Sequence, residues 1–208
     1  MTIPEHLFQW LHSAYLGVAH EFGVPDSPWE RLRIDVPPAA FGPGSRWKFA
    51  DYFDGESRVS VASIHDIVAW LSTCEYVSDQ VQFHERDVWQ QPCAFEQVRR
   101  GDCEDFALWA WRKLAEIGVE AEFYVGRVVC SDEPPVDRAH AWVVYRVNRE
   151  EVLFEPAARD SQRMMRPLSA VKDAYVPHFA VDRRFVTSAF LGCICDSRRE
   201  AATILAPV

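Results

Sequence analysis

The chain has 208 residues, 49% of them hydrophobic and 25% charged, with 8 tryptophans and 13 phenylalanines. That is enough apolar material for one globular core and too much for a disordered chain. The formal net charge of −9 at pH 7 has the wrong sign for holding a phosphate backbone, so nucleic acid is excluded as a partner.

Residues 1–60 read as an N-terminal helix and an extended wrap. In "MTIPEHLFQWLHSAYLGVAH" Thr2 can cap, Pro4 suits a first turn, and Leu7, Trp10, Leu11 and Val18 share a face. Glu5, His6, Gln9 and His12 interrupt the apolar residues and no basic run precedes them, so the stretch is neither a signal peptide nor a membrane span. The expected location is cytoplasmic, and Cys74, Cys93, Cys103, Cys130, Cys193 and Cys195 are expected as reduced thiols. Pro25, Pro28, Pro37, Pro38 and Pro43 break residues 23–60 into loops with short strands at most.

The core is expected over 61–160. "SIHDIVAWLSTCEY" starts with Ser63 and has Asp66 three residues on, a capping-box variant, followed by Ile64, Ile67, Val68 and Leu71 at helical spacing. Residues 75–98 read as a polar connector carrying Trp89 and Pro92. A second helix follows in "GDCEDFALWAWRKLAEIG", with Asp102 as N-cap, Asp105 supporting the first turn and Gly118 at C′. Its apolar positions 103, 106, 107, 110, 111, 114 and 117 form one stripe. Strands are expected at 120–130, 139–147 and 151–156, with the loop "SDEPPVD" between the first two. Residues 161–208 read as a C-terminal sheet and tail. There "LGCICDS" has half a zinc site at most, so Cys193 and Cys195 read as structural, in a strand alternating Phe190, Gly192 and Ile194. Helices first and strands afterwards make one α+β domain spanning 1–208.

The chemistry gathers at Cys103. As the first residue of a helix its sulfur meets unpaired backbone N–H groups and the positive end of the macrodipole, a setting that lowers a thiol pKa from about 8.5 toward neutrality. Asp102, Glu104 and Asp105 oppose that, so a cationic partner is needed. His140, at the lip of a strongly β-forming strand, can supply it. His6, His12 and His20 on the first helix, His65 in a first turn, His84 in the connector and His178 in the tail lack such a setting.

"GDCEDFALW", "RAHAWVVYRV" and "EVLFEPA" together resemble the transglutaminase-like superfamily of papain-type cysteine enzymes. The run 76–108 resembles its bacterial transglutaminase-like cysteine proteinase group. The resemblance is specific over 76–156, weaker in the C-terminal third and silent over 1–60. It implies a papain-like fold with the nucleophile helix packed on an antiparallel sheet. It also implies roles: Cys103 as nucleophile, His140 as general base that later protonates the leaving group, and Glu155 as orienting acid where most of the superfamily has aspartate. Asp160 and Asp137 are the competing acids. The oxyanion would take the backbone N–H of Cys103, with Trp89 or Gln90 as side-chain donor. In relatives that act on surface adhesins, the acids of "GDCED" help hold calcium, and Asp102 and Glu104 match them. Capping and dipole compensation explain both acids without a metal, so no cofactor is required and calcium is the alternative.

The implied activity is thiol-dependent acyl transfer on amides of a protein or peptide substrate, most simply peptide or isopeptide hydrolysis through a thioester. Protein cross-linking, and an idle or calcium-responsive protein-binding domain of the same fold, are the alternatives. Strand parity adds a geometric expectation. If Asn148 and Arg149 form a two-residue connection, Val147 faces Glu150 and Glu155 falls on the His140 face. A carboxylate oxygen then comes within about 3.2 Å of the imidazole.

Overall fold

Two runs rich in β-branched and aromatic residues, 121–130 and 136–147, form the centre of the sheet. The computed structural model describes residues 27–32, 35–45, 48–130 and 136–193. The expected N-terminal helix, the loop 131–135, Ile194 and Cys195 lie outside them, as do the side chains of Cys130 and Asp137. The strands are β1 (Arg31–Leu32), β2 (Glu75–Tyr76), β3 (Arg100–Gly101), β4 (Ala121–Cys130), β5 (Val136–Val147), β6 (Glu150–Phe154), β7 (Met165–Pro167), β8 (Tyr175–Asp182) and β9 (Thr187–Phe190). Seven of them form one sheet in the order β1-β9-β8-β4-β5-β6-β7. Every pairing in it is antiparallel. β2 and β3 form a separate parallel pair.

The β5–β6 connection is the expected two residues: Val147 pairs with Glu150, and Asn148 and Arg149 have φ of 50° and 70°. Positive φ at both central positions is what a two-residue turn matching the strand twist requires. Side chains alternate across the sheet. Phe123, Val125, Ala141, Val143 and Phe154 join the core that holds the long helix Cys103–Glu116. Tyr124, Trp142, Val144, Leu153 and Tyr175 form a second core on the opposite face. The architecture is α+β, a helix packed on an antiparallel sheet.

The helices follow local signals in part. Ile64–Leu71 starts at Ser63, whose hydroxyl accepts from the Asp66 N–H. The Cys103 helix ends at Ile117, and Gly118 follows with φ 77°. Its burial departs from the expected stripe: residues 104–114 are buried all round. Segments distant in sequence cover its other faces, with Phe53 against Trp111 at 4.7 Å between centroids and Trp70 stacked on Trp109 at 4.0 Å. The connector 75–98 is also more ordered than expected. It holds β2, a helical turn at Asp79–Gln82 and a helix at Pro92–Val98, which Pro92 opens at N1 and Arg99 closes at φ 54°. At the other end β9 stops at Phe190, so the expected alternation through Gly192 is not a strand. Gly192 donates its N–H to Pro28 O at 3.0 Å instead, and Cys193 is buried.

Lys113, on the helix, is fully buried. Its Nζ donates to Val59 O at 2.6 Å and Glu116 Oε2 at 2.9 Å, contacts the Ser57 hydroxyl, and lies 3.2 Å from Glu96 Oε1. Glu96 also accepts from Ser57 Oγ at 2.6 Å, Arg58 N at 2.8 Å and Trp109 Nε1 at 3.0 Å. These bonds hold its carboxyl below the ordinary value although burial pushes the other way. Removing one member strands the other as an unpaired buried charge, which costs about 3–5 kcal/mol. Lys113→Ala should therefore lower the melting temperature by roughly 10 °C, whereas Lys48→Ala, at the exposed surface, should leave it nearly unchanged in the same thermal melt.

Candidate active site

The Cys103 helix starts in a crowded corner. A Cβ on Gly101 would lie 2.2 Å from Asp105 Oδ2, so the first residue of "GDCED" has to lack one. Asp102 takes the extended cap conformation, φ −113° and ψ −154°, but its side chain makes no capping bond. Its Oδ2 accepts from the Asp79 N–H at 3.4 Å instead. Asp105 also turns away from the helix end: Oδ1 accepts from the Gln90 N–H at 2.8 Å, and Oδ2 accepts from the Gln90 side-chain amide. The expected capping by Asp102 and Asp105 is thus corrected. Donors from residues 79 and 90, invisible to a local pattern, draw both carboxylates sideways.

The thiol meets the sheet at an open edge. The β5–β6 ladder ends at Val143 and Phe154, so β5 lacks a β6 partner over the residues that precede Val143. There the Ala141 N–H approaches the Cys103 sulfur and favours its thiolate, beside His140 in the chain. The thiol proton is directed to Glu104 Oε2, 3.2 Å away. Burial, then the charges of Glu104 and Asp102, push the thiol well above its ordinary pKa. This runs against the lowering expected from a helix N-terminus. Desolvation and two adjacent acids outweigh the dipole.

His140 Nε2 lies 2.7 Å from Glu155 Oε2. With a carboxylate as its partner Nε2 is the donor in that pair, and in the neutral form of this tautomer Nδ1 is the nitrogen able to accept a proton. Glu155 sits just beyond β6, fixed by its N–H donating to Met164 O at 2.7 Å. Its Oε2 also accepts from the Tyr175 hydroxyl at 3.1 Å, and that hydroxyl accepts from Arg166 Nη2 at 3.2 Å. Tyr175 is buried. The sequence reading missed it: a tyrosine opening a strand 20 residues downstream carries no local mark. A hydrogen bond to a charged group contributes about 1.5–3 kcal/mol, so Tyr175→Phe should lower kcat roughly ten- to a hundredfold with KM little changed. The competing Asp160 caps the helical turn Ser161–Met164 instead, accepting from the Gln162 N–H at 2.9 Å on the surface. Asp137 lies outside the residues whose side chains are described.

Trp89 and Gln90 are corrected as oxyanion donors. Trp89 Nε1 donates to Asp87 Oδ1 at 2.9 Å, and its ring is buried against Phe123. The Gln90 amide is spent on Arg100 O at 2.9 Å and on Asp105.

Around the helix start, carboxylates converge in overlapping sets. Asp79, Asp102 and Asp105 place oxygens within 4.8 Å of one another, as do Asp79, Asp87 and Glu104. Asp79 Oδ1 and Asp102 Oδ1 are buried without a hydrogen-bond partner. Burial and neighbouring acids push Glu104 and Asp105 well above the usual carboxylate range, and Asp79 up to about 6. Clustered hard oxygen ligands with orphaned lone pairs fit a calcium ion. Among the described residues no helix is long and apolar enough to cross a membrane.

No known family and no curated protein matches the sequence. Among solved structures, calcium-bound LapG of Legionella pneumophila superposes with a TM-score of 0.46 at 17% identity, covering 65% of this chain and 72% of LapG. EGTA-treated LapG gives 0.44 at 17% identity, covering 64% and 69%. A candidate cysteine protease from Cytophaga hutchinsonii gives 0.40 at 13% identity, covering 76% of this chain and 49% of that one.

Proposed function

We propose that the chain hydrolyses peptide or isopeptide bonds of a protein substrate through a thioester on Cys103. The observation that carries this is the 2.7 Å His140–Glu155 pair on the strand whose next residue, Ala141, turns its N–H toward the Cys103 sulfur. His140 Nδ1 takes the thiol proton as the sulfur attacks the amide carbonyl carbon. The Cys103 N–H, at the helix start, donates to the oxyanion. The C–N bond then breaks, and the imidazolium returns its proton to the leaving amine. Water, deprotonated by His140, cleaves the thioester to a carboxylic acid and the free thiol. Glu155 holds the ring and offsets its transient positive charge, and Tyr175 holds Glu155.

The acids at the helix start support a calcium site made by Asp79, Asp87, Asp102 and Glu104. A bound divalent cation would neutralise the carboxylates that hold the thiol protonated. With calcium in hundredfold excess over Kd, binding adds about 2.7 kcal/mol, or roughly 5–10 °C in melting temperature. Asp79→Asn should abolish that rise and should itself stabilise the EGTA-treated chain, because one of several repelling buried charges is gone. Identical melting temperatures in calcium and EGTA would overturn the site.

Incubation with an unfolded protein mixture in calcium tests the activity. New N-termini, found by mass spectrometry and absent with Cys103→Ala, are the expected result. Lysine conjugates without new N-termini would favour cross-linking, and neither product would overturn the proposal.

A further inference from the structure

Among the described residues no third strand joins the pair β2–β3. The Glu75 N–H donates to Arg99 O at 2.9 Å and the Val77 N–H to Gly101 O at 2.8 Å. In a parallel ladder alternate residues face alternate edges, so the backbone N–H and C=O of Tyr76 point away from β3. A cavity of about 370 Å³ lies against this same segment, within the roughly 300–1,000 Å³ range of ligand pockets. Leu71, Phe106, Ala157, Ala158 and Met164 give it apolar walls, and Glu75, Tyr76 and Arg159 line it as well.

Each wall is tied to the chemistry. Phe106 is one turn, about 5.4 Å, along the helix from Cys103. Ala157 and Ala158 follow Glu155 in a turn closed by the Ala158 N–H donating to Glu155 O at 3.1 Å. The Tyr76 ring is 43% exposed and packs on Phe106 at 6.2 Å between centroids. Tyr76 also lies close enough to Cys103 to interact with it electrostatically, so a peptide lying along Tyr76 would run near the sulfur while an adjacent side chain entered the cavity.

The geometry points to a substrate subsite: an extended peptide pairs with the outward edge of Tyr76 and places an apolar side chain in the cavity bounded by Leu71, Phe106, Ala158 and Met164. At about 3.3 Å per residue, the residue accommodated is within two of the scissile amide. A glycine there would leave the apolar walls unfilled and forgo the burial of a side chain. The subsite deepens the hydrolytic reading above and rests on it for its purpose, but its occupancy can be measured without turnover.

The test uses the full chain carrying Cys103→Ala, titrated with two capped tripeptides, alanyl-leucyl-alanine and alanyl-glycyl-alanine, and followed by backbone amide NMR. The leucyl peptide should shift Tyr76, Ala157 and Ala158 saturably and bind at least tenfold more tightly than the glycyl peptide. Ala158→Trp, at the half-buried mouth, should weaken the leucyl peptide at least tenfold. Equal affinities, or shifts confined elsewhere, overturn the subsite even if the tryptophan variant does not fold. Leucyl binding at Tyr76 in a chain that cleaves nothing would leave the subsite standing and remove the hydrolytic reading. Cleavage with no preference and no Tyr76 shift would do the reverse.

Discussion

Replacing Glu155 by glutamine is expected to leave the melting temperature within a few degrees and to cut turnover about 10⁴-fold, the scale of the corresponding change in serine triads. The carboxylate oxygen that meets His140 Nε2 at 2.7 Å also accepts from Tyr175 at 3.1 Å. An amide can occupy that space in two ways. With its nitrogen toward the ring it donates to Nε2, moves the imidazole proton to Nδ1 and removes the lone pair that the proposed mechanism uses as base. With its oxygen toward the ring the tautomer is kept, but no charge offsets the imidazolium when the sulfur attacks. Both orientations are harmful, which is why the loss should be large. Steady-state rates with an intact fold by circular dichroism check it, and a loss under tenfold would mean that Glu155 is not the orienting acid.

Cys103→Ala should abolish turnover, a loss on the order of 10⁶ where a nucleophile is removed from a catalytic unit. Stability should barely change. Cys103 is half-buried and its thiol makes one side-chain hydrogen bond, to Glu104 at 3.2 Å. A melting temperature within about 2 °C, with activity gone, would separate a reacting residue from one that merely packs. Residual turnover above one percent would refer the chemistry elsewhere.

The parts of this site that the sequence carried are the parts set by near neighbours. Ser63 begins its helix and Gly118 follows the end of the other because both signals act within one turn. The His140–Glu155 contact follows from strand parity across a two-residue hairpin, so counting residues was enough. Long-range packing decided the rest. Asp102 looks like an N-cap in isolation, yet the Asp79 N–H, 23 residues back, takes its side chain. The thiol looks activated by the helix start, yet burial against β5 and the Glu104 contact push its pKa the other way. Trp89 and Gln90 look like free donors, yet Asp87 and Asp105 consume them. Tyr175 approaches Glu155 only because the sheet order places β8 near the open end of β5 and β6.

Alkylation of the individual cysteines by iodoacetamide at neutral pH, in calcium, tests the role of Cys103 most directly. Cys74 is the internal reference, since burial pushes its thiol up to about 11. Mass spectrometry of native chain and of His140→Asn gives the rate at each thiol. Cys103 should be modified first in the native chain, at least tenfold faster than Cys74, and that advantage should vanish in His140→Asn. Cys74 or Cys93 reacting before Cys103, or a Cys103 rate indifferent to His140, would contradict a nucleophile activated by the His140–Glu155 pair.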